Sequence, residues 1–141
     1  MIDKSKIAYQ FTELEKYLQE LDNIQKLPKQ EYISDNRNIF SLRYLFQVSI
    51  ETCINIANHV ISRYGLGVPK EYADVFRILA AKDIIPHDLE SKLIQMVRFR
   101  NRLVHVYWDI DDEVIFDYLQ NQLDDFREYE KNIKTYLLHK E

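Results

Sequence analysis

Residues 34–69, SDNRNIFSLRYLFQVSIETCINIANHVISRYGLGVP, hold the helical pattern that decides the fold of this chain. Apolar residues recur there at intervals of three and four, as on the buried face of a helix: Ile39, Leu42, Phe46, Ile50, Cys53, Ala57, Val60 and Tyr64. Ser34 or Asp35 is suited to cap the start of this helix, and segment 65–69, with two glycines and a proline, ends it. We therefore predict one long amphipathic helix up to residue 64.

Patterns on both sides of this helix predict four more. Upstream we predict a helix over residues 3–25, from the stripe Ile7, Phe11, Leu14, Leu18 and Leu21. Downstream we predict helices over 72–81, from Pro86 to about residue 104, and from about residue 112 to near the end of the chain. Two glycines and three prolines leave few turns. The sequence predicts an all-α antiparallel bundle of about five helices, in a single domain over residues 1–141.

Composition narrows the class of protein. The formal net charge of -4 argues against a protein that coats nucleic acid by bulk electrostatics. The single cysteine, Cys53, cannot form an internal disulfide or a cysteine-based metal cluster, and we expect a buried thiol there. Charged residues near the start of the chain and the lack of a long uncharged run predict no signal peptide and no membrane span. We expect a soluble cytoplasmic protein with no membrane partner, no metal and no cofactor.

Segment 91–108 is a basic stretch in this acidic chain, with Lys92, Arg98, Arg100 and Arg102 and no acid. On a helical projection Arg100 falls at the centre of the apolar sector, whereas Arg98 and Arg102 point away from it. A buried guanidinium without a partner would cost several kcal/mol, since arginine cannot shed its charge. Arg100 therefore either forms a structural ion pair, with an acid such as Glu51, or lines a cleft that binds an anion.

His105 follows Arg100 by five residues, which on a continuous helix places it about 140° away. For the two side chains to act together, we expect the helix to end or distort near Val104. Histidine takes up and releases protons near neutral pH, so a histidine next to an anion-binding arginine is a candidate acid–base catalyst.

Two segments together resemble a known family. Residues 100–111, RNRLVHVYWDID, contain R-x4-H-x-Y, and residues 50–59 read IETCINIANH. The two segments, with 50–59 before 100–111 in the chain, resemble the HepT toxins, a group of HEPN ribonucleases. HepT toxins belong to the prokaryotic type VII HepT/MntA toxin–antitoxin systems. The likeness covers nearly the whole chain. Asn55 stands where such sequences usually have aspartate, and an amide cannot act as a base.

The resemblance implies a metal-independent endoribonuclease that works as a homodimer, with its site at the dimer cleft. RNA carries its own nucleophile, the 2′-hydroxyl, so the site needs a proton shuttle and a cation. We assign the proton shuttle to His105, stabilisation of phosphoryl charge to Arg100, and orientation to Asn101. Arg98 and Arg102 are expected to bind RNA around this site.

Two further groups of residues receive roles. Glu51 and Asn58 belong to a polar line on the long helix and are expected to support the cleft. The resemblance also implies a partner, an MntA-like nucleotidyltransferase antitoxin that transfers AMP to the signature tyrosine, here Tyr107. The added negative charge would lie where the RNA phosphate must bind.

Two other interpretations fit the same residues. In the first, the chain is a non-catalytic HEPN module that binds a nucleotide or a protein partner, and Arg100 holds a phosphate without cleavage. In the second, the chain is a structural helical scaffold, and Arg100 is one half of a buried ion pair.

Overall fold

Helix α3 (Asn36–Tyr64) runs through the centre of the fold. At its start, a carboxylate oxygen of Asp35 accepts a hydrogen bond from the Arg37 backbone N–H at 2.9 Å. At its end, Gly65 takes the left-handed conformation, with φ at 60°, a conformation that glycine adopts without steric cost. The long helix predicted from the sequence is therefore present, and Asp35 rather than Ser34 caps it.

The computed structural model describes residues 2–140, and within them five more α-helices surround α3. They are α1 (Lys4–Gln25), α2 (Lys29–Ile33), α4 (Asp74–Ala81), α5 (His87–His105) and α6 (Asp112–Lys140). A 3-10 turn, Tyr107–Asp109, connects α5 to α6, and the described part of the chain contains no strand. The predicted all-α bundle is confirmed. The added helix, α2, has five residues, too few to show a periodic pattern.

Aromatic side chains fill the core between α3, α5 and α6. The ring of Phe46 contacts the rings of Phe99, Tyr118 and Phe126, with centroids between 5.2 and 5.8 Å apart. The fully buried hydroxyl of Tyr129 donates a 2.8 Å hydrogen bond to the backbone carbonyl of Cys53. Cys53 itself is fully buried, as predicted, and burial raises the pKa of its thiol.

Helix α5 is held against the bundle along its whole length by Leu89, Leu93, Met96, Val97 and Leu103, all buried. Burying side chains of this kind stabilises a fold by about 1.5–3 kcal/mol each. The same face carries Arg100, so the guanidinium is placed by the packing that fixes the helix. None of the helices between residues 2 and 140 has the length and apolar character that a membrane span needs.

Candidate active site

Arg100 is paired with Glu51 across the contact between α5 and α3. Its Nε donates a hydrogen bond to Glu51 Oε2 at 2.8 Å, and its Nη2 lies 2.6 Å from the same oxygen. The side chain of Arg100 is 14% exposed and that of Glu51 is 31% exposed. The ion pair that the sequence offered as one explanation of Arg100 is therefore present in the structure.

Two neighbours complete the surroundings of the Arg100 guanidinium. Its Nη1 donates to Asn101 Oδ1 at 3.1 Å, and its central carbon lies 5.3 Å from the centroid of the Tyr72 ring. Each terminal nitrogen of a guanidinium carries two N–H groups, so each still has one for a further acceptor. These remaining N–H groups are charged donors suited to phosphate oxygens.

The guanidinium of Arg100 borders a hollow of about 590 Å³, called here the main hollow. One wall belongs to α5, with Val97, Arg98, Arg100, Asn101, Val104 and His105. The other wall consists of the turn before α4 and the first part of that helix, with Glu71, Tyr72, Ala73 and Arg77. Within residues 2–140, no group of three or more His, Cys, Asp or Glu side chains is placed to hold a metal ion.

Arg100 and His105 line the main hollow together although α5 continues through both residues. The helix end expected near Val104 is confirmed to within one residue, because α5 includes His105 and ends before Val106, whose φ is -134°. No break between Arg100 and His105 is needed to bring the two side chains to one hollow. The angle between two positions on a helix describes their Cα atoms. A long arginine side chain can cross that angle, and a histidine in the last turn has no following turn beside it.

The His105 side chain is exposed to solvent at the edge of the main hollow. It has no hydrogen-bond partner among the residues that the structure describes, so both ring nitrogens can reach a ligand. Arg98 also lines this hollow and likewise forms no ion pair within residues 2–140. The main hollow therefore combines one exposed imidazole, one tightly held guanidinium and one cation without an acidic partner.

Four residues predicted for the site do not line the main hollow. Glu51 contacts Arg100 from α3 without lining the hollow. Arg102 turns toward the 3-10 turn, where its Nη2 donates to the Asp109 carbonyl at 3.2 Å. Tyr107 lies in that turn with 60% of its surface exposed. Asn58 lies on α3 and lines a neighbouring hollow of about 400 Å³, the side hollow, which shares Tyr72 and Glu71 with the main one.

The structure also shows a residue that the sequence analysis missed. Arg43 of α3 donates to both carboxylate oxygens of Asp112, at 2.7 and 3.0 Å. It donates as well to the backbone carbonyls of Tyr107, at 2.8 Å, and Ile110, at 3.4 Å. The hydrogen bonds with Asp112 raise the pKa of Arg43. One guanidinium thus fixes the whole connection between His105 and α6.

A signal for Arg43 was present in the sequence. It follows Ile39 by four residues and precedes Phe46 by three, so it occupies the apolar stripe of α3. The same test identified Arg100 on α5. Tyr72 carries no comparable signal, because it lies in a turn whose position depends on tertiary packing.

Comparison with known proteins gives three consistent results. Residues 14–133 match the family model described as ribonuclease HepT-like. An mRNA nuclease HepT from Shewanella oneidensis is 33% identical over 107 residues, which are 76% of this chain and 77% of that protein. A tRNA nuclease HepT from Aphanizomenon flos-aquae is 26% identical over 123 residues, 87% of this chain and 84% of that protein.

The fold of this chain is also similar to solved structures. A tri-AMPylated HEPN toxin from Shewanella oneidensis, in complex with an MNT antitoxin, superimposes with a TM-score of 0.86 and 27% identity, over 96% of this chain and 99% of that one. YutE, a cytosolic protein from Bacillus subtilis, has a TM-score of 0.86 at 21% identity, over 99% of this chain and 93% of that one. The second likeness bears on the fold alone.

Replacing Arg43 with methionine is expected to loosen residues 107–112 while the bundle stays folded. Hydrogen bonds that involve a charged group contribute about 1.5–3 kcal/mol each, so backbone amides in this segment should exchange with deuterium about tenfold faster or more. Hydrogen exchange followed by mass spectrometry measures this. Arg37→Met is the matched control, because Arg37 lies on the same helix in an exposed pair with Asp35. Equal exchange of residues 107–112 in both variants would show that Arg43 does not hold the turn.

Proposed function

The chain belongs to the HepT-like ribonuclease family, as its resemblance in sequence predicted, and from this premise we propose that it is a metal-independent endoribonuclease, the toxin of a HepT/MntA toxin–antitoxin pair. The observation that carries the proposal is that Arg100 and His105 line one hollow, with the guanidinium held by Glu51 and the imidazole open. RNA is the proposed substrate class, because the relatives named above are nucleases of mRNA and tRNA.

In the proposed reaction His105 removes the proton from the 2′-hydroxyl of RNA. The 2′-oxygen attacks the adjacent phosphorus, the bond from phosphorus to the 5′-oxygen breaks, and that oxygen takes up a proton as it leaves. The product ends in a 2′,3′-cyclic phosphate. A positioned base or acid of this kind contributes about 10²–10⁴-fold to the rate.

Arg100 stabilises the negative charge that grows on the phosphoryl oxygens in this reaction. Glu51 and Asn101 hold the guanidinium in place, so its remaining N–H groups need little reorganisation when the phosphate binds. Arg98 adds positive charge at the same hollow, and Arg102 lies further out, beside the 3-10 turn. These two arginines bind RNA rather than take part in the bond-breaking step.

A homodimer would supply the second proton-transfer group that this reaction needs. Each chain has one histidine at the main hollow, so an acid for the leaving oxygen would be His105 of the partner subunit. Exposed aromatic residues favour such a contact: Phe40 and Tyr44 flank Arg43 on α3, and Tyr107 and Trp108 lie in the turn that Arg43 holds. Exposed aromatic rings of this kind are enriched at protein interfaces.

Tyr107 is the proposed acceptor of AMP from an MntA-like antitoxin. Its oxygen would attack the α-phosphorus of ATP, and pyrophosphate would leave. The exposed position of its ring in a turn fixed by Arg43 suits approach by a second enzyme. Each added AMP brings negative charge two residues from His105, where it repels the RNA phosphate. AMP-bearing toxin in the Shewanella oneidensis complex supports this proposal.

Replacing His105 with alanine is expected to reduce cleavage of a single-stranded RNA by about 10²–10⁴-fold, because the proton shuttle is lost. The helical signal and the sedimentation coefficient should stay those of the wild type. His87→Ala is the matched control, since His87 is exposed at the other end of the same helix. Wild-type cleavage should persist in excess EDTA.

Cleavage at the wild-type rate by a highly purified His105→Ala protein would contradict the assignment of His105 as the proton shuttle. Loss of wild-type cleavage in EDTA, restored by a divalent cation, would contradict the metal-independent part of the proposal alone.

Replacing Tyr107 with phenylalanine is expected to prevent AMP transfer while the ribonuclease activity remains. Intact-mass spectrometry with the cognate nucleotidyltransferase and ATP should show the wild type gaining AMP units and losing cleavage. Tyr9→Phe is the control, because Tyr9 is also an exposed tyrosine, and that protein should still receive AMP at Tyr107. AMP on the Tyr107→Phe protein would place the acceptor elsewhere.

A further inference from the structure

We propose that Tyr72 is a stacking surface for a nucleobase, and that the side hollow, lined by Asn58, Pro69 and Val75 among others, holds the base of a nucleotide whose phosphate lies on Arg100. This inference rests on the proposed function for the position of the RNA phosphate. It assigns a role to a residue that neither the sequence analysis nor the proposed chemistry uses.

Tyr72 borders both hollows, as does Glu71. The Tyr72 side chain lines both the main hollow, with Arg100 and His105, and the side hollow, with Asn58. The residue is 53% exposed, and its hydroxyl has no hydrogen-bond partner among residues 2–140. A half-exposed ring that borders both a cationic site and a second hollow has the position that a stacked base requires.

The contact between Tyr72 and Arg100 joins the proposed phosphate site to the proposed base site. The guanidinium carbon lies 5.3 Å from the ring centroid, so a phosphate on Arg100 and a base on Tyr72 would occupy adjacent positions. Phosphate and base are also adjacent within one nucleotide. Aromatic rings beside cationic groups are the common arrangement in proteins that bind single-stranded nucleic acid, where each stacked base contributes substantially to affinity.

The turn that carries Tyr72 is held in place by Asp74. One carboxylate oxygen of Asp74 accepts the backbone N–H groups of Lys70, at 2.9 Å, and Glu71, at 3.2 Å. The other accepts from Arg77 at 2.7 Å. These hydrogen bonds lower the pKa of Asp74, and the one from the Lys70 backbone N–H has the largest effect. The ring of Tyr72 therefore stands on a fixed backbone, which lowers the entropy lost when a ligand binds.

The side hollow has the chemistry of a base site. Pro69 provides apolar surface beside the Tyr72 ring, and Asn58 provides an amide with both donors and an acceptor for the edge of a base. Val75 is buried at the floor, and Lys70 and Glu71 also line this hollow. Its volume of about 400 Å³ lies within the range of small-molecule sites. Asn58, which we predicted to support the cleft, would then contact the base rather than the scissile phosphate.

The test uses the dinucleotide ApA with a 2′-O-methyl group on the ribose beside the phosphate, which removes the nucleophile. Two analogues each lack one adenine. The folded wild-type protein, Tyr72→Phe and Tyr72→Leu are titrated with all three ligands by NMR, and Tyr9→Leu serves as control, since Tyr9 is an exposed tyrosine on α1. Cleavage of unmodified RNA by the wild type is measured in parallel.

In the wild type, Tyr72→Phe and Tyr9→Leu proteins, loss of one particular adenine should weaken binding about tenfold. The Tyr72→Leu protein should bind ApA about tenfold more weakly than the wild type does. Removing that adenine from the ligand should then change the affinity of the variant little, because the stacking contact is already absent. The wild-type Tyr72 ring resonances should shift upfield with ApA and not with that analogue, which reports stacking without a variant.

Two results overturn the inference. If Tyr72→Leu weakens all three ligands equally, Tyr72 acts only by positioning Arg100. If the wild type binds all three ligands alike, or binds none, no base site exists there. Absence of RNA cleavage by the wild type contradicts the proposed function instead, and the dinucleotide comparison still reports on the base site.

Discussion

The ion pair between Arg100 and Glu51 is the contact on which the rest of the site depends. Arginine keeps its charge, and the packing of α5 places Arg100 on the face that points into the bundle. Glu51 on α3 meets it with one carboxylate oxygen, 2.8 Å from Nε and 2.6 Å from Nη2. The pair therefore serves two purposes at once. It compensates a largely buried charge, and it fixes the direction in which the free N–H groups of the guanidinium point.

This arrangement suits catalysis better than simple anion binding. Glu51 offsets the charge of Arg100, so a ground-state phosphate meets a cation that is already partly neutralised. When additional negative charge develops on the phosphoryl oxygens, the fixed N–H groups interact with it more strongly. Gln47 also donates to the shared Glu51 oxygen, at 3.3 Å, which keeps that carboxylate in place. In the proposed function, Arg98, which has no acidic partner within residues 2–140, would supply general attraction for the RNA backbone.

Particular residues show which features of the fold and the site can be predicted from the sequence. The long helices and the burial of Cys53 follow from apolar spacing, and Arg100 stands out because it breaks that spacing. Arg43 breaks the spacing of α3 in the same way, so the sequence pattern was sufficient to identify it as a structurally important residue. The pattern could not identify Tyr72, because the turn that carries it is positioned by Asp74 and by packing between α3 and α4. The end of α5 expected near Val104 is confirmed to within one residue, but the side chains of Arg100 and His105 do not need it in order to meet, because helical angles ignore the reach of a side chain.

The central claim is that Arg100 serves the reaction and is not chiefly a structural residue. Denaturant unfolding and RNA cleavage of Arg100→Ala, each compared with the wild type, test it most directly. The 31% exposure of Glu51 lets its carboxylate reach water when Arg100 is removed. We predict that the free energy of unfolding changes by no more than about 2 kcal/mol, whereas cleavage falls by about 10²-fold or more. A variant that fails to fold, or that folds and cleaves RNA as the wild type does, would contradict the account.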